Sequence, residues 1–294
     1  MKKTGFIAIV GRPNVGKSTL LNQILGEKVA IVSNKPQTTR NRIIGIHTVD
    51  QNQFVFLDTP GIHTPKDRLG DFMVKTADET MREADAVVLV VDAGKPVSKV
   101  EENVIEYIKA SGGGAILVLN KIDLYRREQI AETIAAYANL HDFDAVVPLC
   151  AKKGDNVNIL LDECGQFLAE SEWFFPDDIV TDQPERQLAA EIIREKLLRT
   201  LNKEVPHGIA VVIEEFTDEK SLIRIRAEIF CEKESHKRII VGKNGASLKL
   251  VGSYARTDLE KIFGTKVYLN LWVKIKENWR ESIQTVANFG YKPE

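Results

Sequence analysis

Gly11-Arg12-Pro13-Asn14-Val15-Gly16-Lys17-Ser18 contains the residues whose types and spacing point most directly to chemistry. Its glycines open backbone angles that other residues resist, so successive N–H groups can turn inward around a polyanion at a helix N-terminus. A lysine directly after the second glycine adds a point charge for β- and γ-phosphates, and the next hydroxyl can ligate Mg2+. The apolar run Phe6-Ile7-Ala8-Ile9-Val10 precedes the loop, and Thr19-Leu20-Leu21-Asn22-Gln23-Ile24-Leu25 follows it. Strand, loop and helix are expected in that order, with a nucleotide phosphate held between them.

Three further groups follow β-rich runs. Asp58-Thr59-Pro60-Gly61 comes after 54–57, Asn120-Lys121-Ile122-Asp123 after 115–119, and Cys150-Ala151-Lys152 after 145–149. In open α/β sheets, ligands sit beyond the carboxyl ends of the strands, where these groups would lie. An Asp-x-x-Gly turn is common by itself. Its weight comes from company, because all three groups follow the phosphate loop in order.

The elements that must position these loops are legible as alternation. Expected strands at 5–10, 43–49, 54–57, 86–91, 115–119 and 145–149 are separated by helices beginning near Lys17, Gly70, Ser98, Arg127 and Asn156. That pattern is an α/β fold, a mixed, mostly parallel sheet with helices on both faces. Strands apolar throughout, such as Val87-Val88-Leu89-Val90-Val91, fit burial on both sides. The polar stretch 49–53 reads as a hairpin turn, making one pairing antiparallel.

On these motifs the first half resembles a translation-factor-class GTPase. The resemblance implies that Asp58 holds Mg2+ through a water and that the Gly61 amide senses the γ-phosphate, with Thr59, Pro60 and Ile62 in the same loop. Asn120 and Lys121 would brace the site and pack along the base, with Ile122 between them and Asp123. Asp123 would accept from guanine N1–H and the 2-amino group. Adenine would leave that carboxylate unpaired, a difference worth roughly 10⁴-fold in a polar site. Ala151 would offer its N–H to guanine O6, flanked by Cys150 and Lys152. Cys150 stands where the family more often has Ser, a small change if the main chain makes the contact.

Asn34-Lys35-Pro36-Gln37-Thr38-Thr39-Arg40 occupies the first-switch position, with Thr38 or Thr39 closing on Mg2+ beside Ser18. Ile62 stands where Ras-like enzymes carry a water-orienting Gln, so slow intrinsic hydrolysis is expected. Asn14 resembles its counterpart in GTPases that bind K+ beside the phosphates, and two readings of Asn14 stand side by side, K+ ligation and a cap on the loop. Lys17, Thr39, Asp58, Gly61 and Asn14 would together serve catalysis.

Trp173-Phe174-Phe175 ends the first half, and Pro176 and Pro184 bracket a linker. Domains are expected at 1–175 and 185–294, with 176–184 joining them. The aromatics would either seat the domains against each other or cap the first core. Beyond Pro184, an amphipathic helix from Glu185 carries Leu188, Ile192, Ile193, Leu197 and Leu201 on one stripe. Alternating strands follow at 207–215 and 221–232, then a short helix at 235–241. Gly242-Lys243-Asn244-Gly245 comes next, then a long helix at 246–263 and a strand at 266–276.

The order α-β-β-α-α-β with GxxG between two helices resembles a type II KH domain, a smaller α+β fold. That resemblance implies a clamp for single-stranded RNA, with the backbone approaching about four nucleotides. Ile239, Ile240, Val241, Gly242, Lys243, Asn244, Gly245 and Lys249 are the expected contacts. Lys233, Lys237, Arg238, Lys243 and Lys249 against Glu234 make the neighbourhood basic.

Whole-chain totals agree with two soluble domains. At 294 residues the chain exceeds one typical core. Net charge is −2, yet residues 1–180 carry 20 Lys/Arg against 25 Asp/Glu and residues 181–294 carry 20 against 17. The second half's basic balance permits a nucleic-acid partner. Cys150, Cys164 and Cys231 form no metal or disulfide pattern, which suits a reducing cytoplasm. No apolar run is long enough to span a bilayer, so any membrane contact would be peripheral.

With nearly the whole chain accounted for, it is similar to the Era family. That resemblance implies a bacterial GTPase that helps assemble the small ribosomal subunit, its KH domain holding the 3′ end of the small-subunit rRNA, with some members associating with the inner membrane face; separately, a monomer is expected. Two other classes stand beside it. One is a signalling or trafficking GTPase whose second domain binds protein; the other is an RNA-binding protein with an idle nucleotide site.

Overall fold

The computed structural model describes residues 1–201 and 205–292. Two compact units emerge, and neither is contiguous: one comprises Met1–Ala30, Thr39–Thr64 and Met73–Asp182, the other Ile31–Thr38, Pro65–Phe72 and Gln183–Glu294.

Through the first 170 residues the elements run β1 (Lys3–Val10), α1 (Lys17–Leu25), β2 (Ile43–Val49), β3 (Asn52–Asp58), α2 (Arg68–Glu83), β4 (Ala86–Asp92), α3 (Lys99–Ser111), β5 (Gly114–Asn120), α4 (Arg127–Ala138), β6 (Ala145–Pro148), α5 (Val157–Cys164) and β7 (Ala169–Glu170). Their sheet has the order β2-β3-β1-β4-β5-β6, with β7 pairing β1. The β2–β3 hairpin is antiparallel, as its polar turn requires, while β3, β1, β4, β5 and β6 pair in parallel.

Period-two alternation sends successive side chains to two separate cores. Ile7, Ile9, Val88, Val90, Ile116 and Val118 pack with Leu20, Leu21 and Ile24 of α1 and Leu160 of α5. Ala8, Val10, Val87, Leu89, Val91 and Leu117 pack with Val104, Ile105 and Ile108 of α3 and Tyr137 of α4. Every residue of β4 is buried, which explains its uninterrupted apolar sequence. The aromatics near 174 cap this unit: Phe174 stacks on Phe6 at 4.9 Å, and Trp173 Nε1 donates to Gln51 O at 3.3 Å.

The second unit runs α6 (Glu185–Thr200), β8 (Ala210–Asp218), β9 (Leu222–Cys231), α7 (Glu234–Val241), α8 (Ala246–Phe263), β10 (Lys266–Ile275) and α9 (Ile283–Asn288). Its sheet has the order β10-β9-β8, antiparallel between β8 and β9 and parallel between β9 and β10. Ile223, Ile225, Ala227 and Ile229 of β9 share a core with Leu188, Ile192, Ile193 and Leu197 of α6 and Val251, Ala255 and Leu259 of α8. The strand expected from 207 begins instead at Ala210, after a short 3-10 turn over Val205–Gly208. Gly208 O there accepts from the buried Trp279 Nε1 at 3.0 Å, which ties the turn to the C-terminal segment.

α6 also buries three consecutive charged residues, Arg194, Glu195 and Lys196. Such burial requires partners, and the 31–38 stretch supplies several. Glu195 Oε1 accepts from Val32 N at 3.0 Å, Arg199 Nη2 donates to Val32 O at 2.9 Å, and Arg194 donates to Thr38 O. Lys196 is held by Glu195 Oε2 at 2.9 Å and by Asp258 of α8. Among the described residues no helix is long and apolar enough to cross a membrane.

Candidate nucleotide site and nucleic-acid interface

The phosphate loop leaves β1 at Val10 and enters α1 at Lys17. Gly16 has φ 104°, and a Cβ there would lie 2.3 Å from Asn120 Nδ2, so position and conformation both demand glycine. Asn120 exploits the closeness. Its Nδ2 donates to Val15 O at 2.8 Å, while Oδ1 accepts from Lys121 N at 2.8 Å and Ala151 N at 3.0 Å. One buried amide thereby joins the phosphate loop, the β5 end and the loop after β6.

Lys17 Nζ donates to Gly11 O and Arg12 O, each at 3.1 Å. Burial pulls its pKa down to about 8, against the opposing pull of Asp58. Asp58, the last residue of β3, is fully buried, and burial raises its carboxyl to about 6 despite the Lys17 charge and a Ser18 hydrogen bond. Three oxygens converge there: Ser18 Oγ donates to Asp58 Oδ2 at 2.6 Å and lies 2.8 Å from Thr39 Oγ1. Asp58 Oδ1 is buried and finds no hydrogen-bond partner among the described residues. An acceptor left bare in a cluster of hard oxygens suits Mg2+ or its bound water.

The two threonines separate. Thr39 joins Ser18, whereas Thr38 Oγ1 donates to Lys35 O at 2.6 Å and lies 2.8 Å from Ser33 Oγ. Thr59 is buried and donates to Ile9 O at 2.9 Å, a structural bond at the strand end. Gly61 abuts the loop so closely that a Cβ would meet Pro13 at 2.7 Å, and Ile62 N donates to Gly11 O at 3.1 Å. The Ile62 side chain packs on the α3–α4 core.

Base-recognition candidates lie at the ends of β5 and β6. Lys121 Nζ donates to Asn14 O at 2.8 Å and to Asp92 Oδ2 at 2.9 Å. Asp123 Oδ1 accepts from the Cys150 thiol at 3.2 Å, and Lys153 Nζ sits 3.4 Å from Oδ2. These hold the carboxylate below its ordinary range, the thiol bond contributing most. The Cys150 side chain therefore touches the carboxylate expected to read the base, a contact additional to the main-chain one expected from Ala151. Ala151 N–H, expected at guanine O6, donates here to Asn120.

Sequence reasoning passed over Asp92 and the Arg12–Glu101 pair, whose Nε and Oε1 lie 2.7 Å apart with Glu101 fully buried at the start of α3. The signal for Asp92 was available. It ends β4 as Asp58 ends β3 and Asn120 ends β5.

In the second unit, Gly242 (φ 73°) closes α7, and a Cβ there would stand 2.7 Å from Ser247 Cβ. Lys243, Asn244 and Lys249 are exposed, and Asn244 takes φ 53°. Ile239 is half exposed, but Ile240 is fully buried in the core, so its side chain is withdrawn from the expected RNA contacts: α7 turns one of two adjacent isoleucines inward. Beside the GxxG loop, α8 and the free edge of β10 bound a groove of about 480 Å³. Lys249, Ser253 and Arg256 line it above an apolar floor that includes Leu248 and Leu271. Ser253, Arg256 and Tyr268, which also lines this groove, carry no sequence motif, and their places emerge only when α8 packs beside β10.

Together the two units define a P-loop GTPase joined to a KH domain. A family model described as a 50S ribosome-binding GTPase matches residues 6–121, and one described as a KH domain matches 204–280. GTPase Era of Syntrophus aciditrophicus is 51% identical over 293 residues, covering 99% of this chain and 96% of that protein. GTPase Era of Clostridioides difficile is 48% identical over 294 residues, 99% of each. Among solved structures, an Aquifex aeolicus Era variant bound to GDP.AlF4- superposes with TM-score 0.95 at 42% identity, over 99% of this chain and 100% of that one. An Era structure in complex with MgGDPNP and nucleotides 1506–1542 of 16S ribosomal RNA gives 0.96 at 41%, covering 100% of both. The chain belongs to the Era family of GTPases.

Proposed function

We propose that this protein is a GTP-dependent switch that binds the single-stranded 3′ end of the small-subunit rRNA and assists assembly of the 30S subunit. Residues 1–175 carry the nucleotide and 185–294 the RNA. The observation that carries the reading is the Asn120 amide, which binds the phosphate loop to the loops bearing Asp123 and Cys150. A site braced in this way measures a nucleotide from phosphate to base. The alternative of a protein-binding second domain is less favoured, because an Era relative is described with 16S rRNA and this chain's KH unit presents a basic groove beside GxxG.

Main-chain N–H groups between Gly11 and Ser18, Pro13 having none, bind the phosphates, and Lys17 turns from the Gly11 and Arg12 carbonyls to meet them. Ser18, Thr39 and Asp58 are the residues that would hold Mg2+; we assign Thr39 rather than Thr38 because it already meets Ser18. Bound there, Mg2+ would neutralise charge on the phosphate oxygens. Gly61 reports the terminal phosphate through its N–H, and Asp123 selects guanine. Because Ile62 cannot orient water, turnover is slow without an activator, and Asn14 is the residue that would hold K+, which would supply part of the missing charge stabilisation. We place the protein in the cytoplasm as a monomer, any contact with the inner membrane face being peripheral.

Competition of GTP, GDP and ATP for a fluorescent GDP analogue tests the first half, and titration of a 16S 3′-end oligonucleotide with GDP or a non-hydrolysable GTP analogue tests the second. GTP should outcompete ATP by orders of magnitude, and RNA affinity should differ several-fold between nucleotide states. ATP competing as well as GTP would refute the nucleotide reading, and absence of RNA binding in both states the second. Equal turnover in KCl and NaCl at matched ionic strength would remove the K+ role.

A further inference from the structure

Across the β4–β5 pairing, Asp92 stands directly in register with Asn120. Both end their strands at the edge of the nucleotide site, yet only Asn120 has an assigned part. Asp92 is 8% exposed, too deep for an incidental surface charge. Its Oδ2 accepts from Lys121 Nζ at 2.9 Å, and the same nitrogen donates to Asn14 O at 2.8 Å. The Tyr125 phenol is pushed up to about 12 by this carboxylate, while Asp92 Oδ1 is buried and finds no hydrogen-bond partner among the described residues. Tyr125 is itself fixed, since a Cβ on Gly94 would fall 2.1 Å from its ring. Burial pushes the Asp92 carboxyl up, but the neighbouring Tyr125 phenol, the Lys121 hydrogen bond and the Lys121 charge together hold it below its ordinary value. It is therefore an anion whose two polar neighbours come from the segment after β5.

We propose that Asp92 is a positioning residue for guanine-nucleotide binding, holding the Lys121 ammonium on the Asn14 carbonyl so that the base-reading and phosphate loops keep one spacing. The inference rests on the guanine-nucleotide reading of the site. Lysine is a flexible stem with a point charge at its end, and without a fixed counter-charge its ammonium turns to solvent. Nucleotide binding would then carry the entropic cost of re-ordering that side chain and the Asn14 backbone, which sits at φ 65°. Asp92 acts through Lys121, so its loss falls on binding. GDP and GTP should suffer alike, because nothing in the arrangement senses the terminal phosphate.

The test uses the full chain. Binding of fluorescent GDP and of a non-hydrolysable GTP analogue is measured for Asp92→Ala, Asp92→Asn, Lys121→Ala and the double variant Asp92→Ala/Lys121→Ala, with kcat at saturating GTP. Asp92→Ala should weaken both nucleotides about tenfold, with kcat within twofold of wild type and partial recovery in Asp92→Asn, which keeps an acceptor. With Lys121 already removed, Asp92→Ala should add less than a twofold loss. Wild-type affinity in Asp92→Ala, or a full tenfold loss added in the Lys121→Ala background, overturns the proposal. If Asp92→Ala does not fold, the cycle is run with Asp92→Asn: a smaller loss that disappears in the Lys121→Ala background supports the proposal, and wild-type affinity, or the same loss undiminished in that background, overturns it. Failure of the wild-type protein to bind either nucleotide would instead sink the underlying reading.

Discussion

The phosphate loop and the GxxG loop are both short glycine-framed turns at helix starts, yet they are built to opposite specifications. At the first, the backbone is crowded by a neighbour from another strand, Asn120 against Gly16, and the charges are out of water: Lys17 and Asp58 are both buried. At the second, Lys243 and Asn244 face solvent, a Cβ on Gly242 would meet only Ser247 of the helix that follows, and one on Gly245 would meet nothing within 4 Å. The first is a mould for one small rigid ligand, with its order established before binding. The second leaves room for a flexible polymer, whose affinity is gathered from several weak exposed contacts.

Substitutions should separate the two designs. Asp123→Asn should produce the largest change, collapsing a GTP-over-ATP preference of roughly 10⁴ by removing the acceptor proposed to pair with guanine; competition binding reads it directly. Lys17→Ala comes next, weakening GTP by roughly 10² to 10³, the scale expected when one partner of a buried charge pair is lost, while oligonucleotide binding without nucleotide stays within twofold.

The pH profile should show the mould's buried charges. Asp58, raised to about 6, loses its charge as pH falls below that value, and Lys17, lowered to about 8, loses its own above it. Thus kcat/KM for GTP should be bell-shaped with limbs near those values, changing about tenfold per pH unit beyond each; a flat profile from pH 5 to 9 would contradict the desolvated pair. The linked effect on folding has a definite sign. Asp58's contribution to nucleotide-free stability declines as pH rises from about 4 to 6, because the folded state holds that proton more tightly. Lys17's contribution grows from about 8 to 10.5, because there the unfolded state holds the proton more tightly. The smallest effect belongs to the open loop: Lys249→Ala should weaken RNA only several-fold and flatten the salt dependence by about 0.7 in log–log slope, the loss of one phosphate contact.

Local pattern made much of this legible. Period-two and helical repeats disclosed the strands and helices, and the rule that ligands gather at carboxyl ends drew attention to Asp58, Asn120 and Cys150. Asp92 obeyed the same rule and was overlooked, because a single acid after an apolar run carries no motif. Ile239 and Ile240 looked equivalent in a basic segment, and only the helical phase of α7 against its core parted them.

What the sequence by itself determined was the set of chemical groups and their order: glycines where backbones crowd, a lysine and a serine at a helix start, a carboxylate three residues after Asn120, a second glycine turn between two helices. These follow from nearest-neighbour chain geometry, which a linear string contains. Tertiary structure alone decided which groups meet. It brought Thr39 but not Thr38 to Ser18, placed Arg194 and Glu195 of α6 against the backbone of residues 32–38, and gave the Asp123 carboxylate a thiol donor. Those pairings join residues tens to more than a hundred positions apart, and only the packing of sheets and helices closes such distances.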